Sequence, residues 1–409
     1  MVGGGLAGLD VTLLEARPTL GGAVQTLPER EGDPDPPPDN GQHIALGCCT
    51  DYLGFLARIG QSGSVRREAL ALPVIAEDGS VARIEPGALG LLRYRHVSLR
   101  DRLAIARVTR KLARLEPARH DGETFAGLLR RLGQSQAAVD RFWDVFIRPA
   151  LNLRSEDVSA APALFTVQTA LLGERDASDV ILPIEPLGAM HGAAALGVLR
   201  DGGAVVRLGE RVTALEAGAV VLADGGRVQA DLVVVAVPPE ESAGLLGSPD
   251  PGLEDSPIVS AHLLFDRPIL GFELAALLGS PAHWVFDRGA LTGHRPESGQ
   301  YLTVVSSGAP ELLDVRGRGL VDLLADELTR RLGPAELLWS RVSREPAATF
   351  AALPGTAARR PGVDTGRPGV ARAGAWTDTG WPATMESAVR SGRAAARHLL
   401  ASPPGRAPA

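Results

Sequence analysis

Cysteine is almost absent from these 409 residues: there are two, Cys48 and Cys49, and they are adjacent. A side-by-side pair cannot frame a secretory disulfide scaffold, so a reducing compartment is expected. No apolar run reaches the roughly 18–20 residues of a spanning helix, and the first residues lack the charged and apolar regions of a signal peptide. The expected location is the cytoplasm. The eight histidines show neither H-E-x-x-H nor paired Cys/His spacing, and no G-x-S-x-G elbow occurs. No metal site is expected, and a serine nucleophile has no support. Internal repeats are absent. Forty-two basic side chains against 48 acidic ones leave a net charge of −6, which points to no nucleic-acid partner. With 45% hydrophobic residues the chain can bury a large core, and its length exceeds that of one compact domain. Two interleaved domains are expected.

A further shortage lies in the first eighteen residues, MVGGGLAGLDVTLLEARP. Gly3, Gly5 and Gly8 have the G-x-G-x-x-G spacing that cradles a pyrophosphate where a strand turns into a helix. An acid that holds a ribose normally follows about 20 residues later, after that helix and the next strand. Here Val11–Glu15 reads as the second strand with its terminal acid, and only Leu9 and Asp10 separate it from Gly8. A crossover helix needs roughly 10–12 residues, so two cannot supply one. The alternative reading of the glycines is a mobile start with no ligand.

Elsewhere, residues 31–38, EGDPDPPP, are acidic and proline-rich and are expected to form an exposed loop tip. Residues 66–180 read as mostly helical. Residues 204–239 turn to strands, with a turn at Asp224-Gly225-Gly226 and an apolar run, Leu232 to Val237, suited to a strand covered on both faces. More strands are expected at 258–265 and 301–306, then a helix over about 319–332. The segment AGAWTDTGWPATMESAVRSGRAAARHLL places Pro382 for the first turn of a helix running to Leu400. Ala388, Gly392 and Ala396 share one face of it, which implies a close neighbour. The tail, 402–409, is expected to be disordered.

Three distant segments, VGGGLAGL with VTLLEARPTLGG, ADLVVVAVPP, and AGAWTDTGWPATMESAVRSG, together resemble the FAD domain of the flavin amine oxidase and phytoene desaturase superfamily. Within it, DNGQHIALGCCTDYLGFLARIG, RPALNLRSEDVSA, SPIVSAHLLFDRPI and HWVFDRG are similar to the hydroxysqualene dehydroxylase family. The resemblance implies an α/β fold: an FAD-binding, Rossmann-like domain of the glutathione-reductase type, lacking most of its first strand and its first helix, interleaved with an α+β substrate domain. The FAD domain would comprise 1–64, 184–247 and 366–401, and the substrate domain 65–183 and 248–365. Relatives carry the full strand and helix, so the chain is expected to be shortened by a misplaced start with an internal deletion, or by a lesion.

The same resemblance implies the site. Gly3, Gly5 and Gly8 would meet the pyrophosphate, Glu15 the ribose, with Arg17, Gly21 and Gly22 beside it, although Ala23 stands where many relatives have arginine. The Val212 backbone would meet the adenine. Gly374 would approach the ribityl chain, Asp378 substituting for an acid the relatives carry directly after this glycine, and Thr384 and Met385 would open a helix whose dipole favours anionic reduced flavin. Reductive loss of a hydroxyl from an allylic-type carbinol needs a proton donor, shielding of the cation left behind, and a hydride. Asp39 and His43, in DNGQH, are the expected acids, with Asn40 and Gln42 as positioning donors. The alternative is a turn at 39–42 with His43 merely hydrogen-bonded at a strand start. Trp284, Phe286, Trp376 and Trp381 could shield a cation or simply line a core.

Residues 93–114, RYRHVSLRDRLAIARVTRKLAR, hold seven arginines and one lysine against one aspartate. Ser98 and Asp101 suit a capping box, and Leu99, Leu103 and Ala106 recur at helical spacing. A basic amphipathic helix on anionic lipid is one reading, a solvated charged face the other. Three functions therefore stand open: reduction of hydroxysqualene to squalene with FAD, desaturation or amine oxidation by a related flavoprotein, and a flavin-free remnant.

Overall fold

A computed structural model of the chain describes residues 9–401. The fingerprint glycines Gly3, Gly5 and Gly8 and the tail at 402–409 lie outside the described residues. In chain order the first half contains β1 (Thr12–Glu15), β2 (Ala45–Leu46), α1 (Thr50–Arg58), β3 (Val65–Glu68), β4 (Leu72–Ile75) and β5 (Val81–Ile84). A helical stretch follows: α2 (Gly87–Arg93), α3 (Leu99–Leu112), α4 (Phe125–Arg131), α5 (Gln136–Ala138), α6 (Asp144–Leu151) and α7 (Ala160–Thr166). Then come β6 (Val180–Pro183), α8 (Ala194–Asp201), β7 (Val205–Leu208), β8 (Val212–Glu216), β9 (Ala219–Leu222), β10 (Arg227–Gln229), β11 (Val233–Val235) and α9 (Pro239–Leu246). The last third holds β12 (Asp255–Phe265), β13 (Leu274–Leu277), β14 (Trp284–Asp287), α10 (Arg288–Thr292), β15 (Gln300–Ser307), α11 (Arg318–Leu332), β16 (Leu337–Phe350), β17 (Val370–Arg372) and α12 (Met385–Ala401).

The largest sheet is mixed and seven-stranded, in the order β16-β12-β15-β14-β13-β4-β5. Alternation along its strands divides its chemistry by face. Val259, Ala261, Leu263 and Phe265 of β12 and Leu302 and Val304 of β15 pack on Leu320, Leu324 and Leu328 of α11. The opposite face carries Val74, Trp284, Phe286 and Val305, which join the core formed with α4, α6 and α7. Between those apolar residues and β16 that face turns polar, with Ser260, His262, Tyr301 and Thr303 all buried.

Two parallel pairs, β1 with β7 and β11 with β17, form separate two-stranded sheets among the described residues. The run at 232–237 is a short strand whose first two valines are only half-buried, not one covered on both faces. The expected helical region begins with three strands, β3 to β5, because the alternation of β5, exposed–buried–exposed–buried, serves a sheet edge. A three-stranded sheet, β2-β6-β3, joins residues 45–46, 65–68 and 180–183.

Two further expectations are corrected at α12. Pro382 precedes the helix rather than opening it: Thr384 is the cap, its carbonyl accepting the Ala388 N–H and its hydroxyl the Ser387 N–H at 3.3 Å. The buried stripe is Ser387, Ser391, Ala395 and Leu399, so Ala388 faces solvent, and nothing lies within 4 Å of a side chain built on Gly392. Packing follows the four-residue repeat carrying Leu399, not the small residues.

The RPALNLR segment closes the joint between the helices and the sheet. Asn152 ends α6 in the left-handed conformation, at φ 53°. Its Nδ2 donates to the Ser256 carbonyl at 2.9 Å, its Oδ1 accepts the Gly308 N–H, and its own carbonyl accepts from the Ser256 hydroxyl. Arg148, one turn earlier, donates to the carbonyls of Ser307 and Gly308 at 2.9 and 3.0 Å. Replacing Asn152 with alanine removes the side-chain donor to the buried Ser256 carbonyl and one of the two acceptors of the Gly308 N–H, whose other is the Pro257 carbonyl at 3.0 Å, and is expected to cost about 1–3 kcal/mol in urea unfolding. Asn152→Gly, which keeps the left-handed turn but not the amide, should be nearly as damaging; full stability of either variant would refute this role.

Candidate active site

The segment from Gln25 to His43 runs over the polar part of the sheet face and is fixed there by two buried ion pairs. Asp39, 2% exposed, accepts from Arg288 Nη1 at 2.7 Å, the Thr26 hydroxyl at 2.6 Å and the Leu187 N–H at 3.0 Å. Arg288 stands at the start of α10, directly after β14, and its second terminal nitrogen donates to the Pro37 carbonyl at 2.9 Å. Asp33 pairs with Arg341 of β16, whose other terminal nitrogen donates to the Pro28 carbonyl at 2.9 Å. The acidic proline-rich stretch is therefore not simply an exposed tip: Pro36 and Pro38 are buried, and only Glu31, Gly32 and Asp35 stand out. Asp33 within it, and Asp39 just beyond it, have arginine partners that lie more than 200 residues later in the chain.

Each group has a protonation state set by its surroundings. Burial pushes the Asp39 carboxyl above the usual range, while Arg288 and the three hydrogen bonds pull it back. With both oxygens engaged, we read Asp39 as the ionised anchor of the segment. Asn40 donates to the Ala23 carbonyl at 2.8 Å and so turns its oxygen to His43 Nε2, 3.2 Å away. His43 carries its proton there and keeps Nδ1 as an acceptor; burial, helped by His191, lowers it to about 4. His191 donates Nδ1–H to the Leu187 carbonyl at 3.0 Å and accepts from the Tyr52 hydroxyl at 2.8 Å. Burial likewise makes it harder to protonate.

Beneath residues 39–43 lie polar groups that sequence reasoning passed over. Ser260 Oγ, His262 Nε2, Tyr301 OH and Arg288 Nε are buried without a hydrogen-bond partner among the described residues. A side chain built on Gly41 would come within 3.1 Å of Ser260 Oγ, so that glycine lets the segment lie flat on β12. The only signal in the sequence was the pair of polar residues, Ser260 and His262, two apart within an otherwise apolar strand. Glu386 was also missed. Fully buried at the first turn of α12, it accepts the N–H groups of Asp51 and Tyr52 at 3.1 and 2.7 Å and so caps α1 from 334 residues away.

The expected cofactor residues gather at two ends. Glu15 ends β1, and its Oε1 accepts the Arg17 N–H at 2.8 Å while its other oxygen has no partner among the described residues. Arg17 Nη1 donates to the carbonyl of Gly22, whose φ is 59°, and Gly21 has φ 125°. The turn leading to Val212 lies alongside, with the N–H groups of Gly209 and Glu210 on the carbonyls of Arg17 and Glu15. A free carboxylate oxygen at the end of a parallel strand suits a ribose diol. At the other end Gly374, φ 144°, donates to Ser391 Oγ at 2.9 Å, and a side chain there would strike the Trp376 indole. Thr384 and Met385 open α12. Asp378 is apart from them: it is exposed, and its carboxylate accepts the Gly380 N–H of its own turn. The residues present thus fit the adenosine end and the α12 end of an FAD.

The expected aromatics separate as well. Trp284 and Phe286 stack at 5.9 Å within the core, and Trp376 donates to the Val237 carbonyl at 3.0 Å. Trp381 meets Phe165 edge-on at 5.1 Å and carries the Arg390 guanidinium 4.7 Å over its ring.

Comparison with known proteins agrees with this architecture. The model of the flavin containing amine oxidoreductases matches residues 6–400, and the chain belongs to that family. Members of that family are flavin-containing oxidoreductases. It is similar to the hydroxysqualene dehydroxylases of Sinorhizobium fredii, 31% identical over 60% of this chain and 59% of the relative, and Rhodopseudomonas palustris, 33% identical over 64% and 63%. The chain thus aligns with about 60% of the length of these two curated relatives. The 15-cis-phytoene desaturase of Solanum lycopersicum is 22% identical over 96% of this chain and 74% of its own. Among solved structures, the cyclohexylamine oxidase of Brevibacterium oxydans superposes with a TM-score of 0.72 at 18% identity, covering 96% of this chain and 94% of that one, which shows the fold.

Three buried histidines give the fold an acid limit. His43 is lowered to about 4, and His262 and His283 to about 3, by burial. Unfolded, they would titrate near 6.5, so the unfolded chain binds protons that the folded one refuses. Their contribution is complete above pH 6.5 and is lost as the pH falls toward 4. The urea midpoint should therefore hold between pH 7 and 8 and drop steadily below 6.5; a midpoint unchanged down to pH 4.5 would contradict their burial.

Proposed function

We propose that this chain removes the hydroxyl group of hydroxysqualene reductively and releases squalene, serving squalene and hopanoid synthesis. The observation that carries the reading is the 31% and 33% identity to two hydroxysqualene dehydroxylases, against 22% to the phytoene desaturase. In this reading FAD, when bound and reduced, supplies the hydride. Residues 1–64, 184–247 and 366–401 would carry it, and 65–183 and 248–365 the substrate.

The side chains do the remainder. His43 meets the departing hydroxyl: Asn40 holds its Nε2–H, so Nδ1 faces the substrate and delivers the proton in the imidazolium form. Asp39 acts as a positioning residue, keeping 39–43 on the sheet through Arg288. Thr384 and Met385 present the N-terminal end of α12, and Glu15 with Arg17, Gly21, Gly22 and Val212 holds the adenosine. Gly3, Gly5 and Gly8 would meet the pyrophosphate, without the usual crossover helix, since three residues separate Gly8 from β1. A prenyl alcohol of this length partitions into bilayers, so the reading includes cytoplasmic location with peripheral contact to an anionic membrane. No helix among the described residues is long and apolar enough to cross one.

The missing crossover favours one second reading, a flavin-free remnant. Visible absorbance of the purified chain with added FAD separates the two, a bound flavin spectrum being expected. Incubation with hydroxysqualene and a reductant should then yield squalene, and a dehydrogenated polyene from a saturated analogue would instead indicate a desaturase. With His43 at about 4, roughly 0.1% is imidazolium at pH 7. The dehydroxylation kcat/KM is expected to rise about tenfold per unit as pH falls from 8 to 6, and His43→Gln to abolish that slope. A flat profile in the unaltered enzyme removes His43 from the role.

A further inference from the structure

Among the described residues, the α2–α3 hairpin carries exposed leucines on both of its helices. Ten large apolar side chains stand exposed among the described residues, and four of them fall here: Leu89 at 68%, Leu92 at 46%, Leu99 at 57% and Leu103 at 56%. Leu89 and Leu92 are three apart on α2, and Leu99 and Leu103 four apart on α3, so each pair shares a helix face. The helices are tied together by Arg102, which donates to the carbonyls of Leu92 and Val97. On α3 the inward stripe is Ile105, Val108 and Leu112. At 100° per residue Leu99 and Leu103 point to the opposite side. The Ser98 cap forms as expected, its Oγ accepting the Asp101 N–H at 3.1 Å. The helix is thus anchored by one face and offers leucines on the other.

The charge around those leucines selects the occupant. Arg93, Arg95, Arg100, Arg107, Arg110, Lys111 and Arg114 are all exposed. Among the described residues only Arg93 has a carboxylate within 4 Å, Glu85 at 3.9 Å. The single acid of the segment, Asp101, is occupied by the hydroxyls of Ser98 and Ser135 at 2.5 and 2.7 Å. A chain of net charge −6 therefore concentrates unpaired cations around four exposed leucines.

We infer that the α2–α3 hairpin is the surface by which this protein docks on an anionic phospholipid bilayer, the leucines entering the headgroup boundary and the arginines meeting lipid phosphates. Apolar insertion and attraction to anionic headgroups act together on such a surface, each basic side chain near the membrane adding to the second. An acidic protein partner would use the cations but would not require leucines to remain uncovered in their midst. The inference deepens the prenyl-lipid reading and rests on it for its purpose, while its geometry is that of α2 and α3 alone.

Flotation of the full chain with vesicles tests it. With about 30% phosphatidylglycerol in phosphatidylcholine at about 50 mM salt, most of the protein should float. The bound fraction should fall at least about fivefold at about 500 mM salt or with phosphatidylcholine alone. Leu89→Ser/Leu99→Ser/Leu103→Ser and Arg100→Glu/Arg107→Glu/Arg110→Glu should each lower it at least about fivefold with an unchanged circular dichroism spectrum. Absence of flotation, which an acidic protein partner would also give, overturns the inference, as does binding that neither salt nor the two variants alter. Squalene formation from substrate in detergent micelles is measured alongside: its loss with flotation intact refutes the reaction, not the docking surface.

Discussion

The pairing of Asp39 with Arg288, two charges withdrawn from water and facing each other at 2.7 Å, is the constraint around which the candidate site is arranged. Such a pair adds little net stability, because the cost of drying both ions nearly offsets their attraction. Its value is conditional. Once the segment and the sheet are together, removing either partner strands a buried charge at about 3–5 kcal/mol, so the segment has one place to lie. Asp33 with Arg341 repeats the device on the neighbouring part of the sheet. Between the two pairs the segment covers Ser260, His262 and Tyr301, and it turns Asn40 and His43 in a fixed direction.

Three long-range polar knots complete the frame, and each satisfies backbone that would otherwise be stranded. Asn152 and Arg148 close the ends of β12 and β15 onto the helical layer. Glu386 caps α1 from the opposite end of the chain and also pairs with Arg390, one turn along α12, at 2.8 Å. Arg331 reaches from α11 to the carbonyl of Leu278 at 2.6 Å. Apolar packing on both faces of the large sheet supplies the bulk of the stability, and it is indifferent to small shifts of register or loop path. The directional bonds remove that indifference where the chemistry needs it. The agreement of fold with solved amine oxidases at 18% identity fits this division, since apolar patterning tolerates replacement far better than polar geometry does.

Local signals made much of the architecture legible. The strands at 258–265 and 301–306, the Asp224-Gly225-Gly226 turn, the helix over about 319–332 and the Ser98 cap are set by a few neighbouring residues, and each appears where the sequence put it. So does Glu15 at the end of a parallel strand. Errors arose where a local pattern was overruled by something distant. Residues 31–38 look like a solvated tip, and in isolation they would be one; Arg341 of β16 binds Asp33, Arg288 of α10 holds the Pro37 carbonyl and the adjoining Asp39, and Pro36 and Pro38 are buried. The small residues of α12 looked like its packing face, but the neighbours present select the stripe ending in Leu399.

Motif resemblance thus carried the class, and short-range spacing carried the strands and the position of Glu15 at the end of β1, because glycine conformation, caps and alternation act within a few residues. The partners of Asp33, Asp39, Glu386 and Asn152, and the orphaned groups beneath Gly41, emerged only with the folded chain. A buried charge or amide is satisfied by whatever stands within about 3 Å of it, and separation along the chain, here from about 100 to more than 300 residues, carries no record of that distance.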